Sequence, residues 1–231
     1  MGKSTTWLVS MERLADLGEI GSLMVRLMTA VQDFGLANYA MGKWKAEDSF
    51  KLQPRKLGAA RYFLRLQMSH MFEALAIIEN EIERTPALRA AVEQCDARTI
   101  KSYEWLVEFA KSDDFKLLTR IRNNIGFHYD AKVVSQSLRR LERQRKKKVS
   151  AGKFTKDFGA LTLGNESLDW FFKPTEYVEN DIIIHGIFGL SEDDEPQDLQ
   201  QRTDEIVMRL HDVAVVFSDF AGHFIKHHAK G

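Results

Sequence analysis

A central segment of the chain carries two residue types that could perform phosphodiester chemistry, Arg122 and His128. An arginine guanidinium is always charged and binds phosphate through two parallel hydrogen bonds, whereas a histidine imidazole exchanges protons near neutral pH. Cleavage of RNA by its own 2′-hydroxyl requires a base, an acid and positive charge at the phosphate. The pair therefore has the groups for phosphodiester cleavage without a metal ion, and we expect no cofactor and no metal ligand.

The spacing of Arg122 and His128 decides whether one chain can form the site. On a straight α-helix the six-residue offset leaves the two side chains about 120° apart around the axis and about 9 Å apart along it. Three arrangements would unite them: a helix break at residues 123–124 or at Gly126, an arginine that reaches forward, or a twofold contact between two copies. The twofold contact is chemically attractive because one histidine cannot act as base and acid at once, and two copies supply two histidines.

The motif Arg122-Asn123 followed by His128 resembles the signature of the HEPN superfamily, the higher eukaryotes and prokaryotes nucleotide-binding domains. That signature is an arginine, usually followed by a polar residue, with four to six positions before a histidine. The resemblance implies an all-α antiparallel helical bundle, a homodimer, and an endoribonuclease of toxin–antitoxin or defence type with RNA as substrate and an antitoxin-like protein as partner. It also implies that Arg122, Asn123 and His128 are the catalytic residues, with Asn123 orienting the other two.

Other functions are compatible with the same residues. The chain could be a non-catalytic helical module that binds a nucleotide or a protein, or the motif could serve dimerisation alone. His128 borders an apolar stripe and could be a hydrogen-bonded histidine near the core. Arg122 could pair with Asp113, Asp114 or Asp130 instead of a phosphate.

Composition limits how such a protein could bind RNA. The formal net charge is zero, with 33 basic and 33 acidic residues, so global attraction cannot hold the chain on a polyanion and any RNA contact must be local. A single cysteine, Cys95, excludes an intramolecular disulfide and a cysteine-rich metal site. With no signal-peptide pattern and no apolar stretch of membrane-spanning length, we expect a cytoplasmic protein without membrane contact.

Hydrophobic residues at spacings of three and four predict most of the helices. Ser112 is expected to cap the helix that leads to Arg122, and Thr85 the one that begins at Pro86. The whole chain, 1–231, is expected to form one domain. The predicted helices cover 11–34, 54–84, 86–95, 99–110, a segment after Ser112, a segment from Ala131 through Val134, Leu138 and Leu141, and a final long helix that contains 206–224.

Two segments stand apart from this helical pattern. Residues 149–196 contain several glycines and extended-looking runs at 158–163 and 181–188, which predict a loop insertion with a small β-hairpin. The basic run 139–148 suits RNA phosphates, although a solvated helix end is an equal interpretation.

Three further features have weaker signals. Glu73 could enter a central polar site, but a surface or paired carboxylate is the more common outcome. His223, His227 and His228 include an i, i+4 pair without an accompanying acidic or cysteine ligand, which favours a frayed polar tail over a metal site. Cys95 has no adjacent histidine pattern that would indicate a nucleophile.

Overall fold

The structure is a computed structural model, and the residues it describes fold almost entirely into helices. The described residues are 9–46, 56–123, 130–152, 161–162 and 171–230. The prediction of an all-α fold is confirmed for them, and none of their helices combines the length and hydropathy needed to cross a bilayer. The α-helices within these described ranges are α1 (Met11–Asp16), α2 (Glu19–Ala46), α3 (Lys56–Ile77), α4 (Pro86–Glu93), α5 (Ala97–Ala110), α6 (Asp113–Ile121), α7 (Ala131–Ser150), α8 (Lys173–Asp181) and α9 (Pro196–Ala229).

The last helix, α9, is the central element of the core. It packs against α5 and α2, while α2 and α3 form the most extensive helix pair. Its apolar residues recur at spacings of three and four, so they fall on one face and pack inward. The predicted stripe is confirmed, because each of its members is buried: Ile206, Leu210, Val213, Phe217, Phe220 and Phe224.

The apolar residues that predicted α3 are buried at Met68, Met71 and Leu75, and they continue as Ile78 and Ile82 in a π-helical turn, Ile78–Ile82. Capping residues fix the starts of the following helices. The Phe115 N–H donates to Ser112 Oγ at 3.2 Å, as predicted for α6. Thr85 precedes Pro86 as expected, yet its side chain makes no capping hydrogen bond, so the cap predicted for α4 consists of backbone geometry and proline alone.

The first predicted helix is divided in two by a glycine. Gly18 adopts a φ of 56°, a left-handed conformation that glycine adopts without steric cost, and it separates α1 from α2. Gly21 then lies so close to α1 that an added Cβ would be 1.8 Å from the Leu14 carbonyl oxygen. These two glycines let α1 fold back onto α2, which continues to Ala46 rather than ending near residue 34.

The segment predicted as an insertion is partly helical. Leu161 pairs with Phe172 and Thr162 with Phe171 in two antiparallel strands, β1 (Leu161–Thr162) and β2 (Phe171–Phe172). Residues 163–170 lie outside the described residues, so the hairpin insertion remains a prediction. The extended interpretation of 181–188 is wrong, because α8 ends at Asp181 and continues as the π-helical turn Ile182–Ile187. A short isoleucine-rich run fits a buried strand and a buried helical turn equally well by periodicity.

The connection between α7 and α8 is polar as well as apolar. Ser137 is the buried residue of α7, and its Oγ donates to the Val178 carbonyl at 3.3 Å, whereas the predicted stripe residue Leu138 is 53% exposed. Nearby, Asp181 Oδ2 accepts from Arg140 Nε at 3.0 Å and from a terminal nitrogen at 2.7 Å. The stripe predicted for α7 is therefore wrong at Leu138, because hydrogen bonds and an ion pair determine which face packs inward.

Candidate functional site

Arg122 lies at the end of α6 and faces α3. Three residues of α6, Leu117, Leu118 and Ile121, are buried in the core, and this packing brings the end of α6 to the α3 surface. There the Arg122 Nε donates to Glu73 Oε1 at 3.1 Å. The helix pair thus positions a guanidinium beside a carboxylate on a neighbouring element.

Aromatic rings support the same guanidinium. The Cζ of Arg122 lies 5.8 Å from the centroid of the Phe72 ring. Phe72 stacks on Phe115 with centroids 5.6 Å apart and an angle of 10° between the ring planes. A cation above a ring face is attracted by the ring quadrupole. Glu73 and Phe72 together therefore restrain the direction of the Arg122 side chain.

Asn123 extends the polar group at this helix end. An Nη1 hydrogen of Arg122 points to Asn123 Oδ1 at 3.4 Å, which is a long hydrogen bond. The side chains of Arg122 and Glu73 are 38% and 54% exposed, so an anion in solvent can reach them. Within the described part of the chain, Nη2 of Arg122 has no hydrogen-bond partner.

The acidic partners considered for Arg122 from sequence are engaged elsewhere. Asp114 accepts from Arg209 Nε at 2.9 Å, and Asp113 pairs with a lysine one turn further along α6. Asp130 Oδ1 accepts from two backbone N–H groups at the start of α7, the closer at 2.7 Å. Those three pairings are therefore wrong.

Glu73 is the partner that sequence analysis did not connect with Arg122. Its interpretation as a paired carboxylate is confirmed, but the two residues are separated by 49 positions, and no local pattern links them. One turn earlier on α3, His70 Nδ1 lies 3.3 Å from Asp33 of α2. His70 and Glu73 have helical i, i+3 spacing, which is the signal that could have drawn attention to this face of α3.

His128, the predicted proton-transfer residue, lies outside the described residues, in the segment 124–129. The structure brings together Arg122, Asn123 and Glu73, and the place of His128 beside them remains a prediction. Asp130 has extended backbone, with φ −64° and ψ 114°, and caps a new helix. The chain from Arg122 to α7 is therefore not one continuous helix.

The basic run 139–148 is largely paired with acids. Arg143 donates to Glu192 Oε1 at 3.0 Å, and Arg145 Nε donates to Glu142 Oε2 at 2.8 Å. The hydrogen bond from Arg145 lowers the pKa of Glu142 to about 2, so this carboxylate is charged at neutral pH. An RNA backbone would have to compete with these carboxylates for the cations.

The C-terminal histidines do not form a frayed tail. Helix α9 continues to Ala229, and His228 is buried, with Nε2 3.8 Å from Cys95 Sγ. The prediction that no cysteine lies beside these histidines is therefore wrong, because the fold brings Cys95 next to His228. The two side chains are 133 positions apart, which is why spacing along the sequence did not reveal the contact.

The chain matches no protein-family model, no curated protein and no solved structure in the comparisons made with each of these. The resemblance to the HEPN superfamily therefore rests on the motif and on the helical fold class.

Proposed function

We propose that the chain is a metal-independent endoribonuclease of HEPN type that acts as a homodimer. The observation that carries the proposal is the guanidinium of Arg122, which is solvent-accessible, restrained by Glu73 and Phe72, and adjacent to Asn123. A restrained, accessible arginine is suited to a phosphate because little side-chain entropy is lost on binding. Arg122 binds the scissile phosphate in this proposal, His128 transfers protons, and Asn123 orients the phosphate or the imidazole.

The proposed reaction divides the chemistry between two copies of the site. A neutral His128 removes the proton from the 2′-hydroxyl, the 2′-oxygen bonds to phosphorus, and the bond to the 5′-oxygen breaks. The protonated imidazole of the partner's His128 gives its proton to the leaving 5′-oxygen. The products are a 2′,3′-cyclic phosphate and a 5′-hydroxyl. Arg122 stabilises the negative charge that develops on the phosphorane.

Glu73 has a positioning role in this proposal. It accepts from Nε of Arg122, so the terminal nitrogen Nη2 stays available to bind the phosphate. The carboxylate also reduces the net positive charge of the site, which weakens non-specific attraction to any polyanion. Geometry rather than total charge would then select a bound phosphodiester.

The deciding experiment incubates the purified protein with mixed RNA in the presence of a chelator. Wild-type protein should cleave the RNA and leave cyclic phosphate ends, and both Arg122→Ala and His128→Ala should lose this activity. Arg120→Ala is the matched control, because Arg120 is an exposed arginine on the same helix two residues earlier. Cleavage that continues unchanged in His128→Ala would exclude the proposed mechanism.

Light scattering tests the dimer separately. We expect the wild-type protein to be a dimer under the conditions in which it cleaves RNA. An active monomer would show that a single copy completes the site. The other two arrangements of Arg122 and His128 would then have to be considered.

A second candidate function, a non-catalytic interaction module, is favoured by a different observation. A groove of about 780 Å³ lies between α2, α3 and α9, and methionines contribute much of its apolar lining. Methionine-rich surfaces adapt to apolar partners. In this alternative the chain binds a nucleotide or an antitoxin-like protein without cleaving RNA, and the absence of any RNA cleavage by a pure dimer would favour it. The methionines of the groove are Met41, Met68, Met71 and Met208.

A further inference from the structure

The end of α9 meets the turn between α4 and α5 in a cluster of three metal-binding residue types. Sγ of Cys95 and one ring nitrogen each of His227 and His228 all lie within 4.8 Å of one another. Among the described residues, these three side chains have the spacing needed to hold a metal ion. Cys95 and His228 are buried, whereas His227 is exposed.

The separations in this cluster are close to those of a tetrahedral metal site. Bonds of about 2.3 Å to sulfur and 2.0 Å to nitrogen at a tetrahedral angle place the two ligand atoms about 3.5 Å apart. The observed distance from Cys95 Sγ to His228 Nε2 is 3.8 Å. The His227 ring lies edge-on to that of His228 with centroids 4.8 Å apart, and because this side chain is exposed, a change of rotamer can close the remaining gap.

One backbone carbonyl contacts both buried side chains of the cluster. The Ala91 oxygen accepts from the Cys95 thiol at 3.5 Å, and it lies 3.1 Å from His228 Nε2. The ring of His228 also packs against Phe224, with centroids 4.5 Å apart. A metal ion at Nε2 would replace the hydrogen bond to Ala91, while the contact with Phe224 would continue to hold the ring beside Cys95.

We propose that Cys95, His227 and His228 form a binding site for a thiolate-preferring divalent transition metal such as Zn²⁺. A set of one sulfur and two imidazole ligands favours Zn²⁺ and its neighbours over the hard cations Mg²⁺ and Ca²⁺, which select oxygen. Asp96, adjacent to Cys95, adds a nearby negative charge. The site joins the C-terminal end of α9 to the turn before α5, and its role is structural.

This site is independent of the proposed nuclease chemistry, which requires no metal and uses Arg122, Asn123 and His128. Cleavage of RNA in a chelator is therefore compatible with a metal at the end of α9. The test of this site must therefore measure metal binding directly.

Binding of Co²⁺ to the tag-free, reduced protein provides this measurement. After removal of metals with a chelator, a Co²⁺ titration should produce a thiolate-to-metal charge-transfer band that saturates at one equivalent and disappears when Zn²⁺ is added. Cys95→Ser should abolish the band. His227→Ala should weaken Co²⁺ binding at least about tenfold, and because this side chain is exposed, the variant should fold normally.

His211→Ala is the matched control, since His211 is an exposed histidine on the same helix and far from the cluster in sequence. Its titration should equal that of the wild type. A wild-type protein that shows no charge-transfer band, or a Cys95→Ser variant that keeps the band, would overturn the proposal. The melting temperature gives a second reading: Zn²⁺ should raise it in wild-type protein and leave it unchanged in Cys95→Ser.

Discussion

Arg122 and Arg140 each bind a carboxylate on another helix, but the two ion pairs have different surroundings. Arg140 gives two hydrogen bonds to Asp181, and the side chains are 16% and 2% exposed. Arg122 gives one hydrogen bond to Glu73, and the side chains are 38% and 54% exposed. The buried Arg140–Asp181 pair holds α7 against α8 and is closed to solvent. The exposed Arg122–Glu73 pair leaves nitrogens of its arginine accessible to a ligand.

The largest expected effect concerns the buried pair. Asp181→Ala leaves the Arg140 guanidinium partly buried without its carboxylate, and we expect the free energy of unfolding to fall by about 3 kcal/mol. Urea unfolding followed by circular dichroism measures this loss. Glu142→Ala, which breaks an exposed ion pair on α7, the helix of Arg140, is the control and should have a much smaller effect. Equal losses in the two variants would mean that burial does not distinguish the pairs.

The second prediction concerns the open pair and depends on the proposed nuclease activity. Arg122→Lys keeps the charge but loses the planar group that binds Glu73 and a phosphate at the same time. We expect RNA cleavage to fall about 100-fold while the free energy of unfolding changes by less than about 1 kcal/mol. Initial cleavage rates and urea unfolding of the same preparation measure both quantities. A loss of stability that matches the loss of activity would assign Arg122 a structural role.

A smaller effect is expected at Glu73, because it acts on the substrate only through Arg122. Glu73→Ala should reduce cleavage about tenfold by releasing the guanidinium from its orientation. Glu73→Gln keeps an oxygen that accepts from Nε and should recover most of the rate. If Glu73→Gln is as impaired as Glu73→Ala, the negative charge rather than the hydrogen bond is what matters.

The smallest effect is expected at a third ion pair, Arg98–Asp219, whose arginine side chain is 66% exposed. Hydrogen bonding from Arg98 lowers the pKa of Asp219, whose carboxylate also accepts from Ser102 Oγ at 3.2 Å. A lowered pKa means that the pair stabilises the fold above the pKa of the unfolded chain, and that this contribution disappears as the pH falls through the folded-state pKa. Asp219→Asn should therefore cost about 1 kcal/mol or less at pH 7 and approach zero cost in acid. Urea unfolding at both pH values provides the measurement, and a cost that grows in acid would contradict this account.

The parts of the fold that could be predicted depend on interactions between residues that are close together in sequence. The stripe from Ile206 to Phe224 shows the helical period directly, and Ser112 is a cap whose partner lies three residues away. The turn Ile182–Ile187 was wrongly predicted because a short isoleucine-rich run has no period of its own to separate helix from strand.

The parts of the candidate site that were not predictable depend on tertiary contacts. Glu73 meets Arg122, and Cys95 meets His228, only because helices distant in sequence pack together. Residue type identified Arg122 as a candidate, since its chemistry is a property of the side chain, and the resemblance to the HEPN signature added Asn123. The choice of partner is a property of the fold.

The burial of α9 has a consequence for the timescale of motion in this protein. Phe217, Phe220 and Phe224 are all fully buried on a helix of 34 residues that contacts both α2 and α5. Amide protons in this stretch can exchange with solvent only when the packing around them opens, so their exchange is expected to be the slowest in the chain. Deuterium uptake at these positions would therefore report how often the whole molecule unfolds.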